Sequence, residues 1–275
     1  MTAVSPWVSI SPERVTVNGH PLTVEGEGRG LLSGVYRKFV GDYPKFYKMD
    51  TLSKVGFLAA ELLLQAGGDS SDEDSHRAVI LFGRSGSVCS DRLFQQTIAA
   101  PDGFFPSPSL FVYTLPNIVT GEIAIRHHYH GETAFYLLSR RDEQLMRQTV
   151  EASLLDPDTR SVLSGWVDCQ DEDHFEAYLT LTSKQQNFQI MEEIKLELKK
   201  QIIEVLNLED LKPEDIGDDE PLFGEGLGLD SIDALELIVM IEKNYGIKLK
   251  NPADGKEVFR SVSTMAAFVS ENRQK

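Results

Sequence analysis

Near the C-terminal end of the chain a serine stands between two aspartates, in the run Gly228-Leu229-Asp230-Ser231-Ile232-Asp233-Ala234-Leu235-Glu236. A hydroxyl in that setting can close the start of a helix, because serine is a favoured N-cap residue, or it can accept a covalent group. The residues that follow fix its place: Ile232, Leu235, Ile238, Val239 and Ile241 are apolar at helical spacing. Ser231 therefore falls at or just beside a helix start. Backbone N–H groups lack partners there, and the positive end of the helix dipole favours an anion such as a phosphodiester. Asp230 and Asp233 would repel that phosphate. They make better sense in an acidic face continued by Glu236, Glu242 and the run Asp218-Asp219-Glu220, read by a basic partner or simply solvated.

Two other groups of residues could do chemistry. The cluster Arg126-His127-His128-Tyr129-His130-Gly131 invites a metal or catalytic reading. On a strand, His128 and His130 would face one side and His127 the other. With no carboxylate or cysteine partner evident, they read as surface or turn residues. Cys89 and Cys169 are the only cysteines. They are too few for a disulfide scaffold or a metal cluster, and read as small core or turn residues. No metal site is expected.

Composition bounds the rest. A chain of 275 residues with 41% hydrophobic content can build two domains with real cores. No stretch approaches the roughly twenty apolar residues a membrane span needs, and Met1 to Trp7 lacks the basic and apolar regions of a signal peptide. The chain is expected to be cytoplasmic. Its net charge of −16 argues against nucleic acid and anionic membranes as partners. Residues 191–275 hold 19 acidic and 11 basic residues, which is half of that net charge in under a third of the length.

Along the chain, a domain boundary is expected between Thr182 and Glu192. There Ser183-Lys184-Gln185-Gln186-Asn187 is polar and aperiodic, giving domains at 1–182 and 191–275 with a linker at 183–190. Met191 could also begin a free-standing protein, which leaves a joined origin open. The first domain reads as α/β. Helices are expected over 54–65 and 91–100, a Gly/Ser/Asp-rich loop over 66–75, a strand buried on both faces over 78–82, and later strands over 161–167 and 177–181. Strands alternating with helices predict a mostly parallel sheet.

From about Met191 to Lys275 the chain resembles an acyl carrier protein. The likeness rests on the opening helix Ile194 to Leu206, the polar loop Asp215-Ile216-Gly217-Asp218-Asp219-Glu220-Pro221-Leu222-Phe223, the Gly-Leu-Asp-Ser run, the acidic helix Ala234 to Glu242, and Tyr245-Gly246-Ile247 after it. The resemblance implies an all-α four-helix bundle with a covalent phosphopantetheine arm on Ser231 and an acyl group held as a thioester. It also implies partner recognition by Asp230, Ile232, Asp233, Leu235, Glu236, Met240 and Glu242. The implied partners are a phosphopantetheinyl transferase, a ketosynthase and other acyl-processing enzymes. Asp-Ser-Ile-Asp-Ala-Leu-Glu is similar to carriers of polyketide or polyene-type pathways, whereas fatty-acid carriers tend to have leucine at the place of Ile232.

Residues 5–182 resemble the N-terminal half of a β-ketoacyl synthase, which has a thiolase-like fold. Met49-Asp50-Thr51-Leu52-Ser53 opens a helix, and Val79-Ile80-Leu81-Phe82-Gly83-Arg84-Ser85-Gly86 forms strand and glycine turn. Leu115-Pro116-Asn117, then Gly121 and Ile123-Ala124-Ile125-Arg126, carry the likeness further, and Ser164-Gly165-Trp166-Val167-Asp168 matches a later strand and turn. The departures bear on activity. The family's nucleophilic cysteine would fall near Ser139-Arg140, where no cysteine stands, and its catalytic histidines belong to a second half absent here. The combined expectation is a carrier module beside a catalytically silent docking or scaffolding domain, with homodimerisation through that domain. The alternatives are a divergent condensing or acyl-transfer enzyme acting on its own carrier, and a pair of domains that have both lost chemistry.

Overall fold

The structure is a computed structural model that describes residues 5–67, 75–99, 105–208, 210–224, 226–249 and 257–272. It folds as two compact units, one ending at Lys184 and the other beginning at Gln185.

The N-terminal unit is built around helix α2 (Thr51–Ala66), in which every residue from Thr51 to Leu64 is buried. Such a helix must be covered on all sides. Asp50 starts it by accepting the Ser53 N–H at 2.9 Å. One side packs on the sheet; others meet α1 (Gly28–Val35) and α5 (Ile118–His127). At the α5 crossing a side chain on Gly56 would run into Val119, so only glycine allows that approach.

Among the described residues the sheet has seven strands in the order β3-β2-β1-β7-β6-β4-β5. They are β1 (Trp7–Ile10), β2 (Val15–Val17), β3 (His20–Pro21), β4 (Ala78–Gly83), β5 (Thr133–Leu137), β6 (Ser161–Cys169) and β7 (Phe175–Ser183). The expected mostly parallel sheet is corrected. Only β4 runs parallel to its neighbours β5 and β6, while the β6–β7, β7–β1, β1–β2 and β2–β3 pairs are antiparallel. The reason is connection length. The residues between Cys169 and Phe175 are too few for a crossover and make a hairpin, whereas β4, β5 and β6 are joined through helices. Those helices are α3 (Val88–Ile98), α4 (Pro108–Val112), α5 and α6 (Glu143–Leu154). Strand β4 is buried throughout, as its continuous apolar run predicts. Most of the loop expected over 66–75 lies outside the described residues.

One core lies between the sheet and α2; a smaller one lies under α6, where Met146, Val150 and Leu154 cover Ile80, Phe82 and Trp166. Beyond α6 the same sheet face shows half-buried Trp7, Ser9, Tyr178 and Thr180, alternating with core-facing Val8, Ile10, Ala177, Leu179 and Leu181. A lone half-domain is expected to leave that face apolar. Here hydroxyls occupy it together with a Trp7–Tyr178 stack, and Arg141 lies over Tyr178.

The second unit contains α7 (Lys184–Val205), α8 (Ser231–Tyr245) and α9 (Val262–Asn272). The segment read as an aperiodic linker is helical from Lys184 onward, since Lys and Gln are good helix formers that simply extend α7. Three helices of the expected four are thus described, and residues 250–256 lie outside the described residues. Ile194, Leu198, Ile202, Leu237, Ile241, Phe259, Val262 and Val269 form the common core.

Candidate functional site

The loop leading to Ser231 is fastened at several points. Ile216 and Leu222 are buried in the core. The Leu222 N–H donates to the Arg260 carbonyl at 3.1 Å, and the Leu229 N–H donates to the Leu222 carbonyl at 3.1 Å. Asp218 is held by Lys195 at 3.1 Å and by Lys199. The hydrogen bond from Lys199 is the main reason its carboxyl lies below the ordinary carboxylate value; burial opposes that shift and Lys195 adds to it. Asp218 therefore fastens the loop to α7 and is not part of a free acidic face, contrary to expectation. Gly228, at φ 76°, turns the chain into Leu229 through a conformation that other residues avoid.

Helix α8 then begins with a reciprocal cap. Asp230 is the N-cap residue, and its Oδ1 accepts the N–H groups of Ile232 at 2.7 Å and Asp233 at 3.3 Å. In return Asp233 Oδ2 accepts the Asp230 N–H at 2.7 Å. Two expectations change. The aspartates are structural first, and the N–H groups of Ile232 and Asp233 are already occupied, so a phosphate on Ser231 cannot rely on them. Ser231 itself is the first residue of the helix, exposed, and its hydroxyl has no hydrogen-bond partner among the described residues. Because aspartate does the capping, the serine is released from it.

The rest of α8 divides cleanly. Leu237, Met240 and Ile241 face the core. Met240, expected as a partner contact, is only 3% exposed and belongs to the interior. In its place stands Val239, which with Ile232 and Leu235 makes a stripe of side chains 63–66% exposed at a spacing of three and four residues. The apolar periodicity contained this second stripe, but sequence alone does not say which stripe faces inward. Glu236 and Glu242 are exposed beside it, Glu242 being paired with Lys248 at 3.1 Å. Helix α8 ends at Gly246, in the left-handed conformation usual for a helix stop.

The candidate groups of the first unit do not converge. His127 ends α5 and lies 2.7 Å from Glu61 of α2, while His128 is the left-handed cap after it. The strand geometry expected for these histidines and the absence of a carboxylate partner are both corrected. No group of three or more metal-ligating side chains occurs among the described residues. Ser139 lies in an exposed bend after β5 with no partner for its hydroxyl among the described residues, hence no base to activate it. Cys89 stands in the first turn of α3, just after the β4 turn, which is a strand-to-helix connection the sequence did not suggest for it. Its thiol is nevertheless pushed above the ordinary cysteine value, by burial first and then by Asp50 and Glu172. That is the opposite of an activated nucleophile.

Residues 197–269 match the family model described as "phosphopantetheine attachment site". Among solved structures, the chain is similar to the ishigamide ketosynthase/chain length factor, with a TM-score of 0.50 and 14% identity over 98% of this chain and 90% of that one. It is also similar to a ketosynthase in complex with its chain length factor from Xenorhabdus doucetiae (TM-score 0.41, 15% identity, 66% of this chain and 79% of that one). A third match is a type II PKS acyl-carrier protein in complex with its ketosynthase (TM-score 0.43, 14% identity, 68% and 64%). The second unit thus contains a phosphopantetheine-binding domain, and the mixed α/β unit has a ketosynthase-like fold. No helix among the described residues is long and apolar enough to cross a membrane.

The cap and the hydroxyl separate energetically. Asp230→Ala should destabilise the C-terminal unit by about 1 kcal/mol, the usual cost of losing an N-cap. Ser231→Ala should leave stability within about 0.5 kcal/mol, as expected for an exposed side chain without bonds. Urea midpoints followed through the helical signal compare the two directly.

Proposed function

We propose that Ser231 is the attachment point of the phosphopantetheine arm and that the C-terminal unit is an acyl carrier. The observation that carries this reading is the free, exposed Ser231 hydroxyl at the start of α8, inside the matched segment and relieved of capping by Asp230. The arm, once attached, supplies a terminal thiol on which an acyl group is held as a thioester. The chain's own residues do the rest. Leu229 and Leu222 anchor the loop before the serine, Asp230 and Asp233 fix the helix start, and the core fixes which side of α8 faces water.

Ile232, Leu235 and Val239 form the apolar part of the surface that partner enzymes read, with Glu236 and Glu242 as its charged border. A phosphopantetheinyl transferase and a ketosynthase are the partners this implies, and polyketide or polyene-type biosynthesis is the setting. Asp230 and Asp233 contribute charge while engaged in the cap.

The N-terminal unit serves docking and does not condense acyl chains. This reading is supported by the unassisted Ser139 and the raised Cys89 thiol. The unit pairs with a second copy or with a ketosynthase. The pairing region is the open edge strand β5, together with the exposed Phe111, Leu115 and Leu137. Leu137 and Pro116 both border Gly86, which brings the β5 edge against the segment that carries Leu115. Open edges and clustered apolar side chains are features that soluble proteins usually cover.

Co-expression with a phosphopantetheinyl transferase should raise the intact mass of the wild type by one arm and leave Ser231→Ala unchanged. The same increment on Ser231→Ala would end the assignment. Glu236→Lys should slow modification several-fold at low salt and approach the wild-type rate as salt rises, because exposed charges are screened over roughly 8 Å at physiological ionic strength. Equal rates at every salt concentration would remove Glu236 from the recognition surface. Light scattering on the full chain should give a dimer mass that Leu137→Arg lowers to that of a monomer. A wild-type monomer that binds no ketosynthase would defeat the pairing, and condensation by the chain alone would defeat its silence.

A further inference from the structure

We propose a small-molecule binding site on the sheet face of the N-terminal unit that α6 leaves uncovered, and that its ligand is a small flat carboxylate. The face carries a recess of about 250 Å³ lined by Trp7, Ser9, Arg14, Thr16, Gly19 and Pro21. Its floor is set by strand register. Ser9 pairs with Thr16 and Thr16 with Pro21, so these residues form one row across β1, β2 and β3. Their neighbours Val8, Ile10 and Val15 turn the other way, into the main core. Trp7 lies two residues before Ser9, and Arg14 two residues before Thr16. Because β1 and β2 run antiparallel, those two steps lead in opposite directions. The recess therefore has an indole at one end, a guanidinium at the other and a row of hydroxyls between.

Thr16 is the residue that points to a ligand. It is only 8% exposed, and its Oγ1 is enclosed without a hydrogen-bond partner. A buried hydroxyl left unpaired carries a desolvation cost that nothing in the fold offsets, and such groups call for a partner from outside it. The Ser9 hydroxyl in the same row and the exposed Arg14 guanidinium also have no partner among the described residues. Glu13, the carboxylate nearest in sequence, accepts the Ser11 hydroxyl at 3.0 Å and is not paired with Arg14. A ligand reaches Thr16 when the long, unpaired Arg14 side chain swings aside to meet it.

The order of the groups sets the ligand's chemistry. A guanidinium offers two parallel N–H donors that match a carboxylate, and the Thr16 hydroxyl can donate to the same group. One arginine suits a single negative charge. At the other end the Trp7 ring, held by its stack on Tyr178 at 5.6 Å, gives a flat apolar wall. The volume lies below the roughly 300–1,000 Å³ usual for drug-sized ligands, so the molecule is small.

The test uses the full chain and benzoate as the probe, followed by the two tryptophan indole N–H resonances. The Trp166 indole donates to Glu176 at 2.9 Å beneath α6, and Trp7→Phe assigns the other signal. Benzoate should move the Trp7 signal saturably at millimolar concentration and leave that of Trp166 in place. Acetate, which lacks the ring, and benzyl alcohol, which lacks the charge, should not saturate it over the same range. Arg14→Gln should weaken benzoate by about tenfold, as the loss of a charge-assisted pair predicts. Thr16→Val should weaken it several-fold while its urea midpoint equals or exceeds that of the wild type, because the unpaired hydroxyl is gone. An unmoved Trp7 signal, or equal benzoate affinity in the wild type and both variants, overturns the site. A Thr16→Val midpoint below the wild type shows that the hydroxyl is already satisfied within the fold, and overturns it as well.

Discussion

The functional end of this protein depends on one reciprocal pair of hydrogen bonds. Asp230 caps α8 through its carboxylate, and Asp233 returns a bond to the Asp230 N–H. A serine at this point would ordinarily be drawn into the cap, because its hydroxyl competes well for the first free N–H groups. With a stronger acceptor one residue earlier, the serine hydroxyl is left in water on a rigid helix start. Position and freedom, the two needs of the proposed attachment point, are thus met by different side chains. A charge that looked unfavourable beside a phosphate is the same charge that keeps the hydroxyl available.

That arrangement only works if the residues before it are held. Leu222 and Leu229 bury their side chains and exchange a backbone bond, so the loop reaches Asp230 with little freedom. Asp218 between Lys195 and Lys199 fastens the far end to α7. A partly exposed ion pair contributes little by itself. Two lysines converging on one carboxylate, with burial of Ile216 and Leu222 on either side, hold a loop that has almost no regular structure.

What could be read from the sequence follows from the range of the physics involved. Helix α8, its serine and strand β4 were legible because apolar period and local hydrogen-bonding chemistry specify them over a few neighbouring residues. The inward side of α8 was not, since two apolar stripes share the same spacing and only packing against Phe259 and Val262 chooses Met240 over Val239. The direction of the sheet was misjudged because alternating elements suggest crossovers, whereas the short turn from Cys169 to Phe175 forces an antiparallel return. The meeting of His127 with Glu61, and of Arg84 and Ser85 with Asp168, depends on residues far apart in the chain. No local pattern records such pairs.

The N-terminal unit shows how a sheet face without a covering helix can be made compatible with water. A sheet face left open by a missing neighbour would expose alternate apolar residues along each strand. In β1 and β7 the alternate positions hold Ser9 and Thr180 beside a stacked Trp7 and Tyr178, and Arg141 lies over the tyrosine ring. Aromatic rings carrying polar groups and a cation tolerate water where leucine would not. Exposed apolar side chains lie elsewhere on the unit, among them Phe105, Phe111, Leu115, Ile125, Leu137 and Leu155. The hydroxyls, the stacked pair and the cation over it thus keep the broad sheet face compatible with solvent.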